Sequence, residues 1–216
     1  MGIKLPRHIG VIPDGNRRWA RHRGVTLYQA YDVGYKRLVS VIEYLHELGI
    51  NYTSVYAMSR DNCIKRTKFE KSILFKMAIS AFDDLMNNKK LEEHSVRIVV
   101  LGDLTLLPVD IRRKALETVE STKDRNRGIL TIALCYSGKW EVEYYTARGL
   151  PLPSLQLPPI DLLIRTGGMR RISSFLPLLL EYAELYFTDT LWPDFDREEL
   201  MRALEWFSRQ ERRMGA

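Results

Sequence analysis

Apolar residues in this chain follow two periods in alternation: short β-branched runs, then longer stretches in which they recur every three or four positions. Ile9-Gly10-Val11-Ile12 is a buried-strand pattern closed by the turn residues Pro13-Asp14-Gly15-Asn16. From Asp32 to Leu48, Val33, Leu38, Val41, Ile42 and Leu45 keep helical spacing, and Gly49 ends the pattern as a C-terminal cap does. Ser54–Met58 reads as a second strand and Phe69–Met86 as the next helix. Val96–Leu101 gives a third strand stopped by Gly102-Asp103, and a helix over Val109–Thr122 leads to a fourth strand, Ile129–Leu134. Ile160–Ile164 and Glu184–Phe187 complete six strands.

Strands that alternate with helices need crossover connections, so the pattern predicts an α/β fold with a central, mainly parallel sheet covered by helices. Ligands of such sheets bind at the carboxyl ends of the strands. The loops there hold the unusual polar residues: Asp14 to Arg18, Ser59 to Lys65, Tyr136 to Lys139, and Arg165 to Ser173. The 216 residues, 45% of them hydrophobic and without internal repeat or low-complexity tract, fit a single domain spanning residues 1–216.

A net charge of +6 suits nucleic acid, an anionic membrane surface or an anionic small substrate. No run of like charge resembles a nucleic-acid tail, so no nucleic-acid partner is expected. Cys63 and Cys135 lie far apart without CxxC spacing, which indicates neither a zinc site nor a disulfide framework and fits a reducing cytoplasm. No stretch of about 18 apolar residues is present to span a bilayer. The expectation is a soluble cytoplasmic protein, with peripheral membrane contact left open.

Asp14-Gly15-Asn16-Arg17-Arg18-Trp19 sets a carboxylate, an amide and two guanidinium groups in one turn leading towards a helix. A carboxylate can ligate a hard cation, and backbone N–H groups and arginines can hold a diphosphate. The same residues also make an ordinary turn. Arg165-Thr166-Gly167-Gly168-Met169-Arg170-Arg171-Ile172-Ser173 begins where a buried strand ends, and its paired glycines would free backbone donors beside three arginines. Glu184 interrupts an apolar segment, which suggests either a metal ligand or a salt bridge. Phe75, Ile79 and Phe82 are either plain core or the lining of a hydrocarbon tunnel.

The order of these motifs resembles the cis-prenyltransferases, the undecaprenyl diphosphate synthase family, over nearly the whole chain. The resemblance rests on His8 through Ala20, Tyr56 through Asn62, Asp161 through Gly168, and Ala183 through Phe195. It implies a homodimeric or heterodimeric α/β fold with a hydrophobic tunnel and two diphosphate sites. The allylic prenyl diphosphate donor would be held with magnesium at Asp14 and by Gly15, Asn16, Arg17, Arg18 and Trp19. Tyr31, Ser59 and Lys65 would also contact substrate, and Asn62 would join Asp14 in catalysis. Arg165, Arg171 and Ser173 would hold the acceptor's diphosphate, with Glu184 as a second metal ligand. Arg213-Met214-Gly215 looks like an element that reaches a neighbouring subunit.

Several positions depart from the family pattern. Ala30-Tyr31 stands where Gly-His is usual, Leu27 where an arginine is common, Cys63 in place of a tryptophan, Lys65 in place of an arginine, and Met169 in place of a glutamate. Cys135-Tyr136-Ser137-Gly138-Lys139 only partly matches its motif, and the chain between Glu141 and Asp161 is shorter by a helix or more. These departures point to a short-product or irregular member whose acceptor is isopentenyl diphosphate by default, or else dimethylallyl diphosphate or an alcohol. A non-catalytic partner subunit is the alternative, and the retained Asp14 argues against it.

Overall fold

The computed structural model describes residues 3–211. Among them, six parallel strands form one sheet in the order β3-β4-β2-β1-β5-β6. The strands are β1 (His8–Ile12), β2 (Tyr52–Ser59), β3 (Val96–Leu101), β4 (Gly128–Tyr136), β5 (Leu162–Arg165) and β6 (Glu184–Phe187). β1 and β5 are adjacent inner strands and every residue of both is buried, which explains their continuous apolar runs.

The helices are α1 (Asn16–Arg23), α2 (Leu27–Glu47), α3 (Arg60–Lys65), α4 (Lys68–Met86), α5 (Lys89–Glu93), α6 (Val109–Ser121), α7 (Gly138–Thr146) and α8 (Arg197–Ser208). α2 begins five residues before the predicted start, because Thr26 and Gln29 form a capping box that the apolar periodicity does not contain. α3, α5, α7 and α8 were not predicted, and α1 was expected only as the helix to which the Asp14 turn leads. α3, α5, α7 and α8 start on a side-chain cap, from Ser59, Asn88, Ser137 and Asp196 respectively.

Alternate strand positions feed opposite faces. Val11, Val55 and Ile164 join clusters that include Ile42 of α2, Phe82 of α4, Ile111 of α6 and Leu204 of α8. Ile12, Tyr56, Ala133 and Leu163 face the other way, onto Leu157, Ile160, Phe175, Leu176 and Leu179. None of the residues in that second cluster belongs to an α-helix, so helices cover one face of the sheet and non-helical segments much of the other. The cause is the short connection between α7 and β5, which makes only a 3-10 turn at Pro153–Gln156.

The two cysteines correct the sequence expectation: Cys63 of α3 and Cys135 at the end of β4 form a disulfide, with Cα atoms 5.6 Å apart. Seventy-two residues separate them in sequence, so spacing rules designed for short motifs carry no signal for this pair.

Candidate active site

The carboxyl ends of β1, β2, β4 and β5 open into one basin of about 910 Å³. Asp14, Gly15, Asn16, Arg17, Arg18, Tyr31, Ser59, Asn62, Arg165, Arg171 and Ser173 all line it, so most of the predicted residues converge. At its floor, Arg165 Nη2 donates to Asp14 Oδ2 at 3.0 Å, and Arg18 Nη2 lies 3.3 Å from Asp14 Oδ1. Arg165 Nη1 donates to Ser173 Oγ at 2.8 Å. The Arg165 side chain is only 5% exposed, which fixes its fork before any ligand arrives.

The backbone around Asp14 is equally constrained. Asp14 N–H donates to Thr166 Oγ1, Thr166 Oγ1–H donates back to Asp14 O, and Trp192 N–H donates to the same carbonyl. The glycine pair acts differently from expectation. Gly167 and Gly168 N–H are donated to the carbonyls of Thr190 and Thr188, so they are not free for anions. Gly167 instead permits close approach: at φ +79°, a Cβ there would sit 2.6 Å from Arg18 Nη2 and 2.9 Å from Asp14 O.

α1 starts at Asn16 directly on the basin, and no side chain caps it. Its first amides therefore present the positive end of a helix to the same space that Arg18 and Arg165 occupy. Tyr56 hydroxyl lies within 3.1 Å of the Tyr136 and Ser173 carbonyls, and burial holds its phenol protonated well above the ordinary range. It ties β2 to the Arg165–Ser173 loop.

Three predicted residues stand elsewhere. Trp19 Nε1 donates to Asp194 at 2.8 Å, on the side of α1 away from the basin lining. Lys65 is 72% exposed and pairs with Asp61. Arg66, which the family pattern had not singled out, lines the basin instead and donates from Nη1 to the Tyr31 hydroxyl at 2.8 Å. The cation that faces the basin is thus the residue that follows Lys65, at the C-terminal cap of α3. Glu184 opens β6 opposite Leu162, whereas Arg165 pairs with Phe187. It thus sits at the far end of the sheet from Asp14 within the chain. Arg213-Met214-Gly215 lies outside the described residues.

Beneath the basin is an apolar cavity of about 210 Å³, lined by Leu38 and Ile42 of α2, Leu74 and Phe82 of α4, and Val55 and Ile132 of the sheet. Of the predicted tunnel residues Phe82 lines it, while Phe75 and Ile79 pack into the adjacent core. Asn16, Tyr31 and Arg66 line both spaces and form a throat between them. Gly34 makes that throat possible, because a Cβ there would fall 2.3 Å from Asn16 Oδ1. Asn16 Oδ1 and Arg66 Nε are buried there without a protein partner.

No group of three or more His, Cys, Asp or Glu side chains able to hold a metal is found among the described residues. Two carboxylates line the basin, Asp14 and Asp61, and one at its floor fits magnesium, which binds through one or two carboxylates and takes its remaining ligands from substrate phosphates and water. Asp14 would be that carboxylate.

A cationic basin opening onto an apolar cavity defines a binding site for an anionic head with a hydrocarbon tail. The family model described as "Putative undecaprenyl diphosphate synthase" matches residues 12–150 and 143–215. A tritrans,polycis-undecaprenyl-diphosphate synthase (geranylgeranyl-diphosphate specific) of Aeropyrum pernix is 44% identical over 97% of this chain and 98% of its own length. The structure of lavandulyl diphosphate synthase from Lavandula x intermedia, in complex with dimethylallyl diphosphate, superposes with a TM-score of 0.86 at 25% identity, covering 98% of this chain and 99% of that one. A probable undecaprenyl diphosphate synthase from Campylobacter jejuni gives a TM-score of 0.78 at 28% identity over the whole of both chains.

The chain belongs to the undecaprenyl diphosphate synthase (cis-prenyltransferase) family, and it is a prenyltransferase. It transfers a prenyl group from an allylic diphosphate to an acceptor, with release of diphosphate. No helix among the described residues is long and apolar enough to cross a membrane.

Proposed function

We propose that the protein condenses an allylic diphosphate of the geranylgeranyl class with isopentenyl diphosphate, as a magnesium-dependent homodimer. The observation that carries this reading is the throat: Asp14, Arg18 and Arg165 lie on its polar side, and an apolar cavity opens directly on the other. The substrate class comes from the 44% relative named for geranylgeranyl diphosphate.

In this scheme Arg18, the α1 amides and Arg66 hold the donor's diphosphate, and the cavity takes its tail. Breaking the allylic carbon–oxygen bond leaves the electron pair on the departing diphosphate, where fixed cations lower the barrier. Magnesium, when bound, neutralises charge on the same oxygens. Arg165, held in place by Asp14 and Ser173, directs its remaining surface with Arg171 at the acceptor's diphosphate. The Tyr31–Arg66 pair closes the throat and limits water at the developing cation. Asn62 and Ser59 shape the opposite rim.

A second reading, irregular condensation of dimethylallyl diphosphate, is favoured by the likeness to lavandulyl diphosphate synthase. Incubation with magnesium, labelled isopentenyl diphosphate and dimethylallyl, geranyl, farnesyl or geranylgeranyl diphosphate separates the two. Linear cis-extended products from the longer donors support the proposal. A branched product from dimethylallyl diphosphate alone replaces it with the second reading.

A cytoplasmic site of action belongs to the same proposal. Disulfides are uncommon in that compartment, so thiol titration of protein isolated under alkylating conditions would report the state that the cell maintains.

A further inference from the structure

The cations of the basin fall into two groups. Arg18 and the start of α1 stand beside Asp14, and Arg66 stands at the throat. At the other end, the loops that follow β4 and β5 are joined. Gly138 N–H donates to Ser174 O at 2.8 Å, and Lys139 N–H donates to Ser174 Oγ at 3.2 Å. Register brings a third segment to this end, because Ser59 of β2 pairs with Tyr136 of β4. The residue after Ser59 is Arg60, which opens α3 and lines the basin.

Arg60 is held from behind. Its Nε donates to Asp103 Oδ2 at 3.1 Å, and the Thr105 hydroxyl donates to Asp103 Oδ1. Asp103 is itself buried and fixed, its N–H donating to Cys135 O at the end of β4 at 3.1 Å. An ion pair that only fastened α3 would close side-on, with two nitrogens on two oxygens. Here Thr105 occupies the second oxygen, and among the described residues neither Nη of Arg60 has a hydrogen-bond partner. The pair runs outwards, from an Asp103 side chain that is 10% exposed to an Arg60 side chain that is 33% exposed. Lys139, the other cation at this end, is 80% exposed and reaches Glu143 at 3.7 Å, which leaves it a solvated surface charge.

We propose that Arg60 is a further binding residue for the acceptor's diphosphate and that Asp103 positions it. The Nη fork meets the diphosphate from the β2 side of the basin, while Arg165 and Arg171 meet it from the β5 side. The inference rests on the proposed use of a diphosphate acceptor and adds the group that selects for one. An acceptor without a diphosphate offers this second fork nothing to hold.

Two variants separate this role from that of fastening α3. Arg60→Lys keeps a cation opposite Asp103 and removes the fork, and Asp103→Asn keeps an oxygen for Nε and removes the charge behind it. In steady-state kinetics with magnesium, Arg60→Lys should raise KM for isopentenyl diphosphate about tenfold and KM for the allylic donor less than about twofold. Thermal unfolding should stay where it is. Asp103→Asn should raise the same KM by less, and should add little to it in the Arg60→Lys background, because it acts through Arg60. An unchanged KM for isopentenyl diphosphate in Arg60→Lys, or an equal rise for both substrates, overturns the assignment while the proposed reaction stands. Wild-type protein that consumes no isopentenyl diphosphate overturns that reaction, and the assignment with it.

Discussion

The two flanks of the basin are built differently. On the β1–β5 flank, Asp14, Thr166 and Arg165 are locked to one another and to Trp192 and Ser173 by short hydrogen bonds from neighbouring buried strands. On the α3–α4 flank, a six-residue helix carries Asn62 towards the basin and is tied down by three separate attachments. These are the Cys63–Cys135 disulfide, the Arg60–Asp103 ion pair at 3.1 Å and the Arg66–Tyr31 hydrogen bond. The first flank can stabilise charge without rearranging, the condition for strong electrostatic catalysis. The second is held to its neighbours at separate points, by links that single substitutions can remove.

Substitutions on each flank should therefore fail in different ways. The largest effect is expected from Asp14→Asn, which keeps the hydrogen-bonding shape and removes the charge. Turnover should drop on the order of a thousandfold, and thermal unfolding should also come earlier, because the 5%-exposed Arg165 loses its counter-charge. Activity within a few-fold of wild type would remove Asp14 from the mechanism. Arg66→Ala takes away the basin-facing cation of the second flank and should weaken the donor by about 10–100-fold through one charge-assisted hydrogen bond. Lys65→Ala should change affinity less than twofold, and the reverse order in steady-state kinetics would contradict the placement of the cation.

Removal of the disulfide by Cys63→Ser with Cys135→Ser should cost about 2–4 kcal/mol of unfolding free energy. It should also raise KM more than it lowers kcat, because α3 loosens while Asp14 and Arg165 stay. An equal fall in both parameters would mean that the two flanks are not mechanically separate.

The last expectation concerns acid, and it bears on stability and not on turnover. Burial lowers His8 and His46 from an ordinary 6.5 to about 4, the charge of His94 adding to the shift at His46. The neutral forms are the ones that the fold accepts: His8 is bonded to Pro158 O and Ser54 Oγ, each at 2.8 Å. Between pH 6.5 and about 4 the unfolded chain binds more protons than the folded one, so stability is full above 6.5 and falls as pH drops through that window. The loss is roughly 3 kcal/mol per histidine. It should appear in denaturant titrations and be relieved in part by His46→Gln.

The same division explains what could be read in the sequence. The β1–β5 flank was legible because each of its motifs is a buried strand running directly into its functional loop, so periodicity and chemistry adjoin in the chain. All six strands were identified for that reason, with β3 and β6 placed at their observed ends. The α3–α4 flank was not legible in the same way. Its disulfide joins residues 72 apart, and which of the adjacent cations Lys65 and Arg66 faces the basin depends on how α3 ends, which the motif does not record. Glu184 read as either a metal ligand or a salt-bridge partner because it interrupts an apolar run, and only strand register shows that it lies at the other end of the sheet from Asp14 within the chain. The role of Gly167 was also misread: glycine is needed for close packing against Arg18, not for free amides.

The central claim is that one site binds an ionic head and an apolar tail across the Asn16–Tyr31–Arg66 throat. Calorimetric titration, in the presence of magnesium, of inorganic diphosphate, geraniol and the unreactive thio-linked analogue of geranyl diphosphate tests it most directly. The intact analogue should bind at least about a hundredfold tighter than either piece, with Arg66→Ala removing most of that advantage. Equal affinity for inorganic diphosphate and the analogue would show that the cavity takes no tail, and would contradict the claim.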